Sequence, residues 1–476
     1  MDRLIEIGKI KTYTSNEIAF SRFGIGLEKL DRALFDPSKT YDALQALGVK
    51  YVRLQSGWQR TEKTEGVYDF SWLDEVVDNL IGRGMIPWLC LCYGNELYSP
   101  VAETYFGAVG VPPVFSAREK KGWANYCKAL ARHYAGRIYL YEVWNEPDNP
   151  QCWKHGPNGT EYGRFVIDTA RAVRAGDTNA KIAAGSIASA RPARIKWFED
   201  ALRTGMYDEI DAVTYHQYRS LETSVPETVR VYRAMIDRYN PDVQLIQGES
   251  GCPSRPDGNG ALCRGAWSQD KQAKMLLRRL VTDMKTEVLF SSWFTAVDMV
   301  EALDGKSDNK ESRMDYGYFG VLDAQFDADG RSTGKYGAKK SYNALKNLCG
   351  LFGIKGATCA ELPINGYWND YTERVFGFNV PFHETVTVGF KKDNGSSAFF
   401  YYKPTDLMTM TFDGVISLFA VTNESNVRLA DPMTGIVYKL PDTMCEALGS
   451  GVVKFDFLPI KDYPLVLTFG DFFEME

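Results

Sequence analysis

Two glutamates about a hundred residues apart, Glu146 in Trp144-Asn145-Glu146-Pro147 and Glu249 in Gln247-Gly248-Glu249-Ser250, each follow directly on a strand-like apolar run. A carboxylic acid donates a proton and an ionised carboxylate attacks carbon, so a facing pair of them suits cleavage of a glycosidic bond. One protonates the leaving oxygen while the other attacks the sugar carbon; a separation of roughly 5 to 5.5 Å goes with retention of configuration, one above roughly 6.5 Å with inversion. Residues this far apart in the chain meet only if the fold converges them. The carboxyl ends of the strands of a (β/α)8 barrel do so. Each motif also has a plainer reading. Asn-Glu-Pro alone is a turn, since proline terminates helices and strands, and Glu249 alone is a surface carboxylate entering a loop.

The elements needed to position the pair are legible. From residue 19 to 350, short β-rich runs alternate with helical patterns, the rhythm of parallel strands with helical crossovers. Eight strands are expected at 19–27, 51–55, 85–93, 138–144, 181–185, 210–215, 243–249 and 288–294, most of them continuously apolar as strands covered on both faces must be. Apolar residues at helical spacing predict helices over 72–81, 119–133 and 272–284, the first with Ser71 as N-cap. The fold class expected is therefore α/β, a (β/α)8 barrel. Beyond 350 the texture changes to short strands (385–391, 397–402, 415–421, 427–429, 437–440, 452–458) punctuated by Gly, Pro, Asn and Asp, the pattern of an antiparallel β-sandwich. Residues 1–18 also read as strand and are expected to join it, giving a catalytic barrel at 19–350 and an accessory sandwich at 351–476.

A chain of 476 residues exceeds what one core usually supports, which agrees with two domains. The net charge of −6, with Lys and Arg scattered, gives no electrostatic support for a nucleic-acid partner. No run of apolar residues is long enough to span a membrane, and the first residues carry no apolar signal core. The compartment stays open, since a removed secretion signal would leave the same trace. The odd, dispersed set of nine cysteines reads as free, buried thiols rather than staples. Cys252 and Cys263 flank a Gly/Pro-rich loop and are the pair that an oxidising compartment would join. Cys90-Leu91-Cys92 lacks metal-site spacing. No metal or cofactor is expected.

Tyr141-Glu142-Val143-Trp144-Asn145-Glu146-Pro147-Asp148 resembles the fourth-strand motif of glycoside hydrolase clan A, a superfamily of retaining enzymes on (β/α)8 barrels. Val52-Arg53-Leu54, Trp58, Glu65-Gly66-Val67-Tyr68-Asp69-Phe70 and the run from Trp144 through Trp153 resemble family 39 and its relatives, the β-xylosidases and α-L-iduronidases. The resemblance implies Glu146 as general acid/base, Asn145 as the neighbour of the sugar 2-hydroxyl, and Glu249 as nucleophile. It implies that Arg53 keeps the nucleophile ionised, that His216 and Tyr218 contact it, and that Trp293 floors the sugar subsite. The family usually has Thr before the second glutamate where this chain has Gly248. Trp58, Tyr93, Asn95 and Trp153 are further candidates if the loops carrying them lie on the catalytic face. The loops at 149–159, 252–265 and 304–318 are long and Gly/Asp-rich and are expected to shape access. An exo-acting enzyme on a carbohydrate chain end is the preferred expectation, with an endo-acting hydrolase of the same clan or a catalytically inactive carbohydrate-binding barrel as alternatives. Arg255 or Arg264 would serve a substrate that carries a carboxylate.

Overall fold

The computed structural model describes residues 4–103, 109–301, 314–368 and 385–476. Eight parallel strands close into a barrel: β1 (Phe23–Gly26), β2 (Tyr51–Gln55), β3 (Ile86–Leu91), β4 (Leu140–Val143), β5 (Lys181–Ile187), β6 (Ala212–His216), β7 (Gln244–Ser250) and β8 (Val288–Trp293). Pairing of Phe23 with Ser291 and Ile25 with Trp293 joins β8 back to β1, leaving no edge. Helices cover the outside, among them Ser71–Gly82, Ala117–His133, Gly159–Gly176 and Gln269–Met284. The last three start on side-chain caps from Ser116, Asn158 and Ser268, each accepting a backbone N–H three residues on. Ser71 is not a cap, as expected above, but the first helical residue, its N–H received by Asp69.

The barrel interior changes character along its axis. Its amino-terminal layer is apolar, formed by Trp88, Leu140, Ala183, Ala212, Ile246 and Phe290, with Tyr51 stacked on Phe290 at 4.0 Å. Strand side chains alternate, so the next inward residues lie two positions on. They include Arg53, Glu142 and Thr214, all fully buried. A polar layer on an apolar floor faces the carboxyl ends of the strands.

After the barrel, the helix Lys340–Phe352 leads into two antiparallel sheets. The seven-stranded sheet takes the amino-terminal strand Ile5–Lys9 at its edge, paired with Ile436–Lys439. The four-stranded sheet contains Ile364–Trp368, Asp413–Val421, Val452–Lys461 and Cys445–Gly449. Buried Arg278 of the barrel helix Gln269–Met284 donates to the Thr405 carbonyl and pairs with Glu222 at 2.8 Å, while Tyr402 donates to Glu222, so charge and packing fasten the sandwich to the barrel. Cys252 and Cys263 are both free thiols, the first buried and the second half-buried. The greater part of the loop expected at 304–318 lies outside the described residues.

Candidate active site

The end of β4 is built by an irregular backbone. Trp144 and Glu146 both adopt left-handed conformations, at φ 71° and 46°, a region that larger side chains rarely occupy. The turn drives Trp144 into the core, where its indole N–H reaches the Cys152 carbonyl at 2.7 Å, and leaves Asn145 and Glu146 over the barrel mouth. A third left-handed residue, Ser186 at the end of β5, receives the Glu146 backbone N–H at 3.2 Å. The turn is thus held from the next strand.

Arg53 organises the polar layer. Its Nε and Nη2 donate to Glu142 Oε2 at 2.8 and 2.6 Å, Nη2 also donates to Asn145 Oδ1 at 2.9 Å, and Nη1 donates to Glu249 Oε2 at 2.8 Å. Tyr218 donates to the other oxygen of Glu249 at 2.5 Å. Glu249 thus accepts two strong hydrogen bonds, one of them charge-assisted. On the other side of the mouth Glu146 accepts from Asn149 at 3.0 Å and lies 3.1 Å from His216 Nδ1. The remaining His216 nitrogen contacts Ser186 Oγ at 3.0 Å, and its Nδ1 is 3.7 Å from Glu249. One oxygen from each of Glu146 and Glu249 and a nitrogen of His216 all lie within 4.8 Å of one another. A cation there would compete with the donors Arg53 and Tyr218 for Glu249, so the arrangement favours a carboxylate pair over a metal centre.

The electrostatics couple Glu146 to His216. Burial alone pulls His216 down, but the Glu249 charge and the hydrogen bond to Glu146 outweigh it and set the ring above its ordinary value. Burial pushes the Glu146 carboxyl up, yet the His216 hydrogen bond and charge, Asn149 and Arg194 together bring it below its ordinary value. The contact between them thus favours the ionised carboxylate of Glu146 and the protonated ring of His216.

The structure gathers Glu146, Glu249, Asn145, Arg53, His216 and Tyr218 into one cluster. Trp293 ends β8 at the same face, almost wholly buried, and its indole N–H has no partner among the described residues. Tyr93 lies beneath Arg32, 5.6 Å from its guanidinium, and packs edge-on to Trp144. Trp58 and Trp153 are corrections. Trp58 lies inside, stacked on Tyr98 with its N–H on Glu62, and Trp153 lies inside against Trp144 and Tyr162 with its N–H on Glu161. Both are under 2% exposed, as is Trp293 at 1%, so none of the three rings offers a face to a sugar and the subsite floor expected of Trp293 is corrected with them. Asn95 is likewise spent on structure, donating to the Glu62 carbonyl of the loop after β2 and accepting from Leu97 on its own loop. Arg255 is engaged by exposed Asp257, and Arg264 is exposed.

Several members of the cluster were missed in the sequence. Glu142 and Glu28 are charged residues within or just after apolar strands, a signal in itself, because an ionisable group is rarely buried without a partner. Asn149, Ser186 and Cys152, whose Sγ lies 4.0 Å from Glu146, have no comparable mark. Gly248 leaves room beside Glu142 Oε1, which has no hydrogen-bond partner among the described residues; a Cβ at 248 would stand 3.5 Å from it.

Residues 31–249 match the family model of glycosyl hydrolases family 39, so the resemblance read from the motifs extends over six strands of the barrel, β2 to β7. The chain is 24% identical to a β-xylosidase of Geobacillus stearothermophilus over 253 residues, 48% of this chain and 47% of that enzyme. It is 31% identical to endo-1,4-β-xylanase C of Phanerodontia chrysosporium over 132 residues, 26% of this chain and 30% of that enzyme. It therefore spans less than half the length of these curated relatives. The fold is similar to that of a family 39 glycoside hydrolase from the gut symbiont Bacteroides cellulosilyticus WH2, with a TM-score of 0.66 at 15% identity, covering 97% of this chain and 83% of that one. Among the described residues no helix is long and apolar enough to cross a membrane.

Proposed function

We propose that the protein is a retaining glycoside hydrolase acting on carbohydrate, with Glu146 as acid/base and Glu249 as nucleophile, and with residues 19–350 as its catalytic unit. The observation that carries this reading is the approach of the two carboxyl groups to within 4.8 Å through a shared histidine, on the short side of the range associated with retention. Glu249, fixed by Arg53 and Tyr218, attacks the anomeric carbon while Glu146 delivers the proton shared with His216 to the leaving oxygen. Glu146 then takes a proton from the water that releases the sugar. Asn145, held by Arg53, offers its amide to the sugar 2-hydroxyl, a bond that strengthens as positive charge develops in the ring.

The names of the relatives favour a β-xyloside as substrate and divide between exo- and endo-action. Removal of Trp58 and Trp153 from the catalytic face leaves few stacking surfaces for a long chain, which supports exo-action on a single terminal sugar. The test is a panel of aryl glycosides and xylo-oligosaccharides with wild type and with Glu146→Ala, with and without azide. Turnover of a monoglycoside and a retained glycosyl azide from the variant support the reading. Cleavage of oligosaccharides alone moves it to endo-action, and no turnover of any substrate rejects it.

A further inference from the structure

Glu28 has no part in the two-carboxylate scheme, yet its side chain is buried in the polar layer, 3.5 Å from Arg53 Nη1. It lies just beyond β1 and folds back over Gly26. A Cβ at position 26 would stand 2.1 Å from Glu28 Oε2, so only glycine admits the carboxyl group there. The site is built to hold it.

Hydrogen counting bears on its state. Thr295 Oγ1 lies 2.8 Å from the Gly26 carbonyl oxygen and 3.1 Å from Glu28 Oε2. A hydroxyl has one proton, and a carbonyl oxygen can only accept. The shorter contact takes the threonine proton, so the second is a hydrogen bond only if Glu28 supplies a proton of its own. The charges point the same way. Arg53 faces three carboxyl groups, Glu28 just beyond β1, Glu142 from β4 and Glu249 from β7, with the Tyr218 hydroxyl and the His216 ring beyond Glu249 and Glu146 on the far side of that ring. Even with His216 charged, two cations do not balance four carboxylates in a largely buried site.

We propose that Glu28 is a positioning residue for the nucleophile: a neutral carboxylic acid that donates to Thr295, fills the space beside Arg53 and leaves Nη1 to Glu249. This rests on the reading of Glu249 as nucleophile. Were Glu28 ionised, it would compete for Nη1 and set a second negative charge beside Glu249. Burial, with the Glu249 charge adding to it against the pull of Arg53, raises its pKa to about 7, so that competition begins near neutrality.

The test uses a dinitrophenyl glycoside of the preferred sugar, whose leaving group needs no acid, so that the pH dependence of kcat/KM reports the nucleophile and its surroundings rather than Glu146. Wild type loses rate as pH rises through about 7. Glu28→Gln, which keeps the shape and a donor for Thr295, lacks that break. Glu28→Ala lowers kcat about 10-fold with little change in KM, because Arg53 is left with a gap on one side, and Glu28→Gln recovers most of the loss. An unchanged break in Glu28→Gln, or a loss as deep as that of Glu28→Ala, overturns the proposal. A wild-type-minus-Glu28→Gln infrared difference spectrum without substrate reads the same group directly. A protonated-carboxyl band present at pH 6 and gone by pH 8 supports it, and its absence at pH 6 rejects it. If wild type turns over no glycoside at all, the hydrolase reading fails, and the spectrum alone decides the state of Glu28.

Discussion

Two arginines of the barrel, Arg53 and Arg278, are both wholly enclosed and both paired with glutamate, yet their surroundings differ in charge count. Arg278 meets one carboxylate, Glu222, with both side chains at 0% exposure, and the Thr405 carbonyl and Tyr402 complete the junction with the sandwich. Arg53 meets Glu28, Glu142 and Glu249, and the facing carboxylates Glu249 and Glu146 keep 12% and 16% of their side chains open. The balanced, closed pair holds two layers together. The surplus of acid around Arg53, with a histidine beside it, crowds carboxyl groups together and leaves two of them partly open to solvent. Buried charge alone does not distinguish a structural site from a reactive one; imbalance with access does.

The comparison breaks most visibly at Glu249. Glu249→Ala should lower kcat by about 10⁴-fold or more, as removal of a nucleophile does, and added azide should restore turnover with inverted product, measured by steady-state kinetics and NMR. Glu146→Ala should cost about 10² to 10⁴-fold on substrates with poor leaving groups and far less on dinitrophenyl glycosides, since general acid catalysis matters only where the leaving group needs a proton. Arg278→Ala should act on the other region. It strands Glu222 and should cost about 3–5 kcal/mol of stability in urea unfolding, while the folded fraction keeps its specific activity. The smallest effect concerns pH and stability. Glu28 has a folded pKa raised from 4.5 to about 7, so its contribution is present below the unfolded value and lost as pH rises through the folded one. Glu28→Gln should therefore match wild type near pH 4, and its thermal midpoint should exceed that of wild type increasingly up to pH 7 and by a constant amount above.

The barrel was legible because strands buried on both faces must be apolar throughout, and its eight runs stand out between amphipathic helices. Strand bounds were less legible: Phe23–Gly26 is shorter than the expected 19–27, whose first residues, Ala19 and Phe20, are exposed and outside the ladder, while Lys181–Ile187 runs two residues past the expected 181–185. In the sandwich, Leu465–Phe469 pairs at the centre of the larger sheet although it was not expected as a strand; its uniformly buried LVLTF run lacks the alternation of a half-exposed one. Within the site, Glu146 and Glu249 were visible as carboxylates that end apolar runs, whereas Asn145 and Arg53 were expected only through the resemblance to family 39. Trp58 and Trp153 misled because a position after a strand does not say which way a ring turns, and here the local backbone turns both inward to pack with their neighbours. Glu28 was hidden by a contact that only the fold makes, its carboxyl lying across Gly26 toward an arginine from the next strand.

The most direct test of the central claim is to incubate the enzyme with an activated 2-deoxy-2-fluoro glycoside of its preferred sugar and map the adduct by mass spectrometry of peptic peptides. The account predicts one covalent sugar per chain, attached to Glu249, with full loss of activity. A label on Glu146 or another residue, or turnover with inverted product and no adduct, would contradict it.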